Sequence, residues 1–134
     1  MIYLLDTNTC IRYLNQSSQS IYERLLNISA DDVCICDVVK YELYYGAYKS
    51  SRRAKNLENL SNFFGDLVSL PFDGKAAEVC GQIRAALETA GTPIGTYDLQ
   101  IAAIALANNL TLVTHNTREF GRVPDLQLED WENS

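Results

Sequence analysis

The sequence predicts an α/β fold: one domain, with a central parallel sheet of four to five strands flanked by helices on both faces. Three observations predict it. Short apolar runs recur along the chain, each bounded by polar or turn-forming residues. Segments with helical spacing of apolar residues separate them. Two of the runs, Ile2 to Leu5 and Val33 to Cys36, end abruptly in an acid, Asp6 and Asp37. Strands alternating with helices imply parallel pairing through right-handed crossovers. A chain of 134 residues, 47% hydrophobic, has the size and apolar content for one core. No linker, internal repeat or low-complexity stretch divides it, so the expected domain is 1–134.

Taken in order, Ile2-Tyr3-Leu4-Leu5 is the first strand, and Thr9 to Leu14 a short helix behind Asp6-Thr7-Asn8. After a polar loop, Ser20 to Ile28 places Ile21, Leu25 and Ile28 on one side of a second helix. Val33-Cys34-Ile35-Cys36 is the second strand. The helix from about Val38 to Tyr48 sets Glu42 in an almost wholly apolar context, with no lysine or arginine three or four residues away. A carboxylate on a buried face is costly unless something neutralises it, although Glu42 at the edge of the face would reach water. Ser51 to Phe64 is a fourth helix, and Leu67 to Leu70 a third strand closed by Pro71. A long helix from Gly74 to Ala90 turns Ala76, Val79, Cys80, Ile83, Ala86 and Leu87 inward, with Asp73 as its cap. The Ala-rich segment Pro93 to Ala107, with small residues nearly all round, is expected to pack centrally. Leu110 to Thr114 is the fourth strand, and Leu126 to Leu128 adds an edge strand with Trp131 as a hydrophobic plug.

Charge and cysteine content narrow the function. A net charge of −6 argues against broad electrostatic binding of nucleic acid, but not against a nuclease whose site is itself acidic. Lys49, Arg52, Arg53 and Lys55 form a basic stretch, readable as a phosphate guide or as a solvated helix face. Cys10, Cys34, Cys36 and Cys80, with a single histidine, His115, favour buried free thiols over zinc. No transmembrane span or signal peptide is visible, which makes the cytoplasm the expected location.

Four acids stand out by placement. Asp6 and Glu119 follow strand ends, Glu42 lies on the helix after another strand, and Asp98 sits in the first turn of the Ala-rich helix beside Ile94, Ile101 and Ala102. Each has an ordinary alternative: Asp6 as an N-cap, Asp98 as a dipole-stabilising acid, Glu119 as the partner of Arg118. The fold would bring all four to one edge of the sheet. Two bare carboxylates about 4 Å apart repel by roughly 4 kcal/mol at an effective dielectric near 20, so such a cluster needs cations or protons. Oxygen-only donors suit Mg²⁺ or Mn²⁺, and the natural chemistry is metal-assisted phosphodiester hydrolysis.

The motifs Leu5-Asp6-Thr7-Asn8, Tyr41-Glu42-Leu43 with Gly46-Ala47, Pro93-Ile94-Gly95-x-x-Asp98-x-x-Ile101-Ala102 and Thr114-His115-Asn116-Thr117-Arg118-Glu119-Phe120 together resemble the PIN-domain family. More narrowly, they look like the VapC-type ribonuclease toxins of bacterial toxin–antitoxin pairs. Gly81-Gln82-Ile83-Arg84 and Glu129-Asp130-Trp131 extend the resemblance over nearly the whole chain. It implies a five-stranded parallel sheet and an Mg²⁺- or Mn²⁺-dependent endoribonuclease built on Asp6, Glu42 and Asp98. Glu119 is the only acid available for the family's fourth position. The mechanistic expectation is direct metal contact for Asp6 and Asp98. Glu42 would complete the shell or orient a water through a second ion, and Glu119 and Asn116 would hold water or the outer shell beside Thr7 and Asn8. The resemblance further implies a VapB-type antitoxin, a homodimer and an assembly with the antitoxin up to a hetero-octamer. Lys49, Arg52, Arg53 and Arg84 are weaker expectations for phosphate contacts, and transfer RNA is among the substrates of such relatives. Alternatives are a structure-selective DNA nuclease and a non-catalytic binding module. A haloacid-dehalogenase-type phosphatase is disfavoured, because Asn8 stands where that chemistry wants a second aspartate.

Overall fold

Five strands, β1 (Tyr3–Leu5), β2 (Val33–Cys36), β3 (Val68–Leu70), β4 (Thr111–Val113) and β5 (Leu128–Glu129), form one sheet in the order β3-β2-β1-β4-β5. Every pairing is parallel. The computed structural model describes residues 1–132. Seven helices lie among these residues: α1 (Thr7–Leu14), α2 (Gln19–Leu26), α3 (Asp37–Lys49), α4 (Arg53–Phe64), α5 (Gly74–Thr89), α6 (Thr96–Ala107) and α7 (Thr117–Phe120). Successive residues of a strand point to opposite faces, yet Leu4, Leu5, Cys34, Ile35, Cys36, Leu112 and Val113 are all fully buried. The helices therefore cover both faces of the sheet, the arrangement a parallel sheet requires.

The strand order locates the functional edge. From β1 the chain winds outward through β2 to β3, then returns across the sheet to β4 and β5 on the other side. Crossovers diverge between β1 and β4, which leaves a crevice at their carboxyl ends, the place where open α/β sheets bind ligands. Tyr3 pairs with Thr111 and Leu5 with Val113, so β1 and β4 end level with each other.

α6 takes the central position expected of it. Ile101, Ala102, Ala103, Ile104 and Ala105 are buried in succession, more than one full turn, as in a helix apolar all round. Its small side chains let α5 pack closely along it. The helix begins at Thr96 rather than at Pro93. Asn108 and Asn109 end it, Asn109 with a left-handed φ of 56° that asparagine tolerates.

Several boundaries and faces differ from the sequence-based expectation. α2 runs from Gln19 to Leu26, and α4 starts at Arg53. Ala86 is exposed on α5. The larger correction concerns α3. Val39, Leu43 and Ala47 make its core face, whereas Tyr41, Tyr44, Tyr45 and Tyr48 are exposed. The apolar context around Glu42 is thus a half-exposed tyrosine face, and Glu42 stands on the flank between it and the core. A tyrosine pattern does not distinguish core from surface, because the ring is amphipathic.

The four cysteines are free thiols, with Cys10, Cys34 and Cys36 buried. Burial pushes Cys34 up to about 11 and Cys36 up to about 12, so both stay protonated at neutral pH.

At the far edge β5 is only two residues long, and the chain is secured by Trp131, 1% exposed. Its ring meets Tyr3 edge-on at 5.2 Å, the Arg24 guanidinium lies 5.1 Å from its centroid, and its Nε1–H donates to Glu129 (3.0 Å). Arg24 pairs with the same Glu129 oxygen at 3.0 Å. Truncation of a buried tryptophan typically costs about 3–5 kcal/mol. Trp131→Ala should lower the urea midpoint by a corresponding amount at unchanged m-value. A loss under about 1 kcal/mol would show that the tail lies outside the cooperative unit.

Candidate active site

Asp6 follows the last residue of β1 in extended conformation and caps α1, its Oδ1 accepting the backbone N–H of Thr9 at 2.8 Å. The cap and site readings of Asp6 therefore do not compete: one oxygen serves the helix. Its own N–H donates to the Val113 carbonyl (3.0 Å), which joins the ends of β1 and β4. Asp6 is 5% exposed. Burial raises its pKa, and hydrogen bonds from Thr114 and Thr9 oppose the rise.

Three further acids reach the same crevice from separate elements. Glu42, on the flank of α3, accepts a hydrogen bond from Thr7 Oγ1 at 2.6 Å. Asp98 projects from the first turn of α6. Glu119, on α7, is held from two sides: the Gly95 N–H donates to its Oε1 (2.9 Å) and Asn116 Nδ2 to its Oε2 (3.2 Å). Asn116 caps α7 through the N–H of Glu119. That short helix closes onto Gly121, where a Cβ would stand 2.5 Å from the Thr117 carbonyl oxygen, so only glycine fits.

Asp6, Thr7, Asn8, Glu42, Asp98, Asn116 and Phe120 wall one small pocket, with Glu119 against Asp98 at its margin. Burial first, then the hydrogen bond and charge of Glu119, then Glu42 and Asp6, push Asp98 up to about 7. Glu119 moves down, chiefly because of the Gly95 N–H. The proton is thus held more readily by Asp98 than by Glu119. No ion pair reaches Asp6, Glu42, Asp98 or Glu119 among the described residues. A set of oxygen donors with no cation in direct contact, Arg122 acting on Glu119 alone and from beyond ion-pair distance, fits a hard divalent ion.

The basic residues lie elsewhere. Lys49 Nζ donates to the Tyr45 hydroxyl (3.2 Å) and Arg53 Nε to the Tyr48 carbonyl (3.0 Å). Arg52 is exposed before α4, and Arg84 is paired with Glu88 at 2.7 Å on α5. None of the four lines the pocket. Sequence reasoning missed Thr114 and Gly95. Thr114 is fully buried at the end of β4 and accepts the Asn116 N–H at 3.0 Å. A threonine ending a strand gives no signal of this in sequence, whereas Gly95 before a helix is a recognisable anion-holding position.

His115 joins a second cluster. Its Nδ1 lies 2.9 Å from Asp130 Oδ2 and 3.4 Å from Glu132 Oε2, and Arg12 lies 3.5 Å from Glu132. Arg12 supplies positive charge here, and the network ties the C-terminal segment to α1.

The model of the PIN domain matches residues 3–126. The chain belongs to the PIN-domain family. Curated relatives to which it is similar include VapC ribonucleases. The tRNA(fMet)-specific endonuclease VapC of Salmonella typhimurium is 43% identical over 129 residues, covering 96% of this chain and 97% of that protein. Ribonuclease VapC2 of Rickettsia felis is 40% identical over 133 residues, covering 98% and 99%. Among solved structures, VapBC2 from Rickettsia felis bound to a DNA fragment from its promoter aligns with a TM-score of 0.91 at 40% identity, covering 98% of this chain and 99% of that one. DNA-bound VapBC from Salmonella typhimurium aligns with a TM-score of 0.92 at 42% identity, covering 98% of each.

The acid cluster makes stability depend on pH. Asp98 rises from an ordinary 3.8 to about 7 on folding, so between these values the folded state binds a proton that the unfolded state has released. Stability of the metal-free protein should fall as pH rises from about 4 through about 7. Thermal melts in EDTA should show that fall, and Asp98→Asn should flatten it. An unchanged slope in the variant would place the proton elsewhere.

Proposed function

We propose that this chain is the toxin of a bacterial toxin–antitoxin pair: an endoribonuclease that needs Mg²⁺ or Mn²⁺, acts in the cytoplasm and inhibits translation by cutting transfer RNA. One observation carries the reading. The crevice between β1 and β4 gathers acids with no paired cation, in a chain similar over nearly its full length to VapC ribonucleases.

In this reading Asp6 and Asp98 would hold the ion and Glu42 would complete the donor set, aimed by the Thr7 hydroxyl. The ion, when bound, supplies a more acidic water and offsets charge on the leaving oxygen. Asp98 would release to solvent the proton it carries when the ion is held. Glu119, kept ionised by the Gly95 N–H and oriented by Asn116, remains available to accept a hydrogen bond from water. The buried threonines around Asp6 keep that carboxylate in one orientation.

The partner in this reading is a VapB-type antitoxin, supported by the solved VapBC complexes. An apolar groove between α1, α3 and α4, lined by Ile11, Leu14, Leu43, Ala47 and Leu60, opens at Glu42 and would seat an antitoxin segment. A basic side chain at the end of that segment would neutralise the acids. A homodimer, and a hetero-octamer with antitoxin, belong to the same proposal.

Purified protein free of antitoxin should cut initiator transfer RNA into discrete fragments with Mg²⁺ or Mn²⁺, and not in EDTA. It should leave duplex DNA intact. Asparagine caps helices as well as aspartate, so Asp6→Asn should stay folded. Its activity should drop by more than the about 10–100-fold typical of losing an outer-sphere partner, which is the range expected for Glu119→Gln. Full activity in folded Asp6→Asn would overturn the assignment, and cleavage of DNA in preference to RNA would change the substrate class.

A further inference from the structure

Two tyrosines immediately precede two acids of the pocket, Tyr41 before Glu42 on α3 and Tyr97 before Asp98 on α6. Their rings meet edge-to-face, with centroids 5.5 Å apart and planes at 67°, and their hydroxyls are 3.1 Å apart. Two helices that carry acids into the crevice thus also join rings beside it. Tyr41 is 52% exposed and Tyr97 45%, so the pair is not part of the core. Ionisation of Tyr97 is made harder chiefly by Tyr41, and also by the Glu42 carboxylate, consistent with the hydroxyls lying within electrostatic reach of the pocket.

The surface beyond the pair continues in kind. Tyr45 and Tyr48 follow Tyr41 on the exposed side of α3, and Lys49 and Arg53 lie against them. Rings near the acids and cations farther out form a graded surface. A phosphate chain meets repulsion from the carboxylates at the crevice and attraction from Lys49 at the end of α3 and Arg53 at the start of α4. In a chain of net charge −6, charge alone is a weak means of holding RNA next to four acids. Stacking of bases on aromatic rings needs no positive charge at the point of contact, and unpaired loop bases are the ones free to stack.

We propose that Tyr41 and Tyr97 form a stacking platform for an unpaired nucleobase next to the phosphodiester that is cut, and so restrict the enzyme to single-stranded loops of RNA. The edge-to-face arrangement and the hydroxyl contact brace each ring with the other, so the platform is set before RNA arrives. The inference rests on the ribonuclease reading above and adds a binding determinant to it.

The test uses the full-length chain carrying Asp6→Asn and a fluorescein-labelled RNA hairpin with an unpaired loop, intact or with single abasic sites stepped through the loop. Tyr41→Ala and Tyr97→Ala should each weaken binding of the intact hairpin by about tenfold, the scale of one stacked base. Phenylalanine at either position should bind within about twofold of the parent. One abasic position should cause a similar loss, and the alanine variants should add little to it. In the active enzyme the same alanine changes should raise KM and leave kcat nearly unchanged. Alanine variants that bind as the parent does would overturn the platform. So would losses that are the same for intact and every abasic hairpin, or losses that follow a change in oligomeric state in sedimentation, which would make the tyrosine face a contact between copies. If the wild-type chain cuts no RNA, the ribonuclease reading fails separately, and the binding comparison still decides whether the rings hold a base.

Discussion

The backbone N–H of Asp6 donates to the Val113 carbonyl at the point where strand order reverses, and its carboxylate caps α1. This short set of contacts places a buried carboxylate at the carboxyl ends of two adjacent strands. The other acids are positioned relative to it. α1 presents Thr7 to Glu42, α6 brings Asp98 across the crevice, and the turn after β4 carries Asn116 and Glu119. Loss of the β1–β4 pairing would disperse the site even with every helix intact.

Gathering acids in this way works against stability. Burial and the neighbouring carboxyls raise Asp98 to about 7, and burial raises Asp6 as well. The surrounding fold tolerates this because the cost is local, beneath helices whose apolar packing lies elsewhere. α6 unites the two functions: its middle is among the most apolar parts of the core, and its first turn carries an acid into the crevice. A cation or a proton would relieve the same repulsion, so any metal affinity of the proposed site would depend on pH. The C-terminal segment adds a second anchor, since Trp131 packs against Tyr3 of the central strand β1 while Glu132 and Asp130 tie to Arg12 and His115.

Much of this was legible in the residues. Apolar runs ending in acids gave parallel strands with a charged edge, and the Ala-rich run gave a central helix, since both patterns follow from local periodicity. Trp131 as a plug was readable because a lone large apolar residue after an edge strand has few other places to go. The side on which the tyrosines of α3 lie was not readable. An amphipathic ring suits core and surface alike, and only the packing of Leu43 and Ala47 against neighbouring elements decides it. The basic residues illustrate the same limit: Arg84 looked available in sequence and is paired with Glu88 in the folded chain.

By itself, then, the sequence determined the succession of strands and helices, the acids at their ends and the family to which the motifs belong, because each of these is written in short-range pattern. Tertiary structure decided what no local pattern contains. It brought Asp6, Glu42 and Asp98 around one pocket, put Glu119 against Asp98 so that their pKa values move in opposite directions, and joined Tyr41 to Tyr97 across 56 positions of chain. Distances between residues far apart in sequence, and the pKa shifts that follow from them, exist only once the strands have paired and the helices have closed over both faces of the sheet.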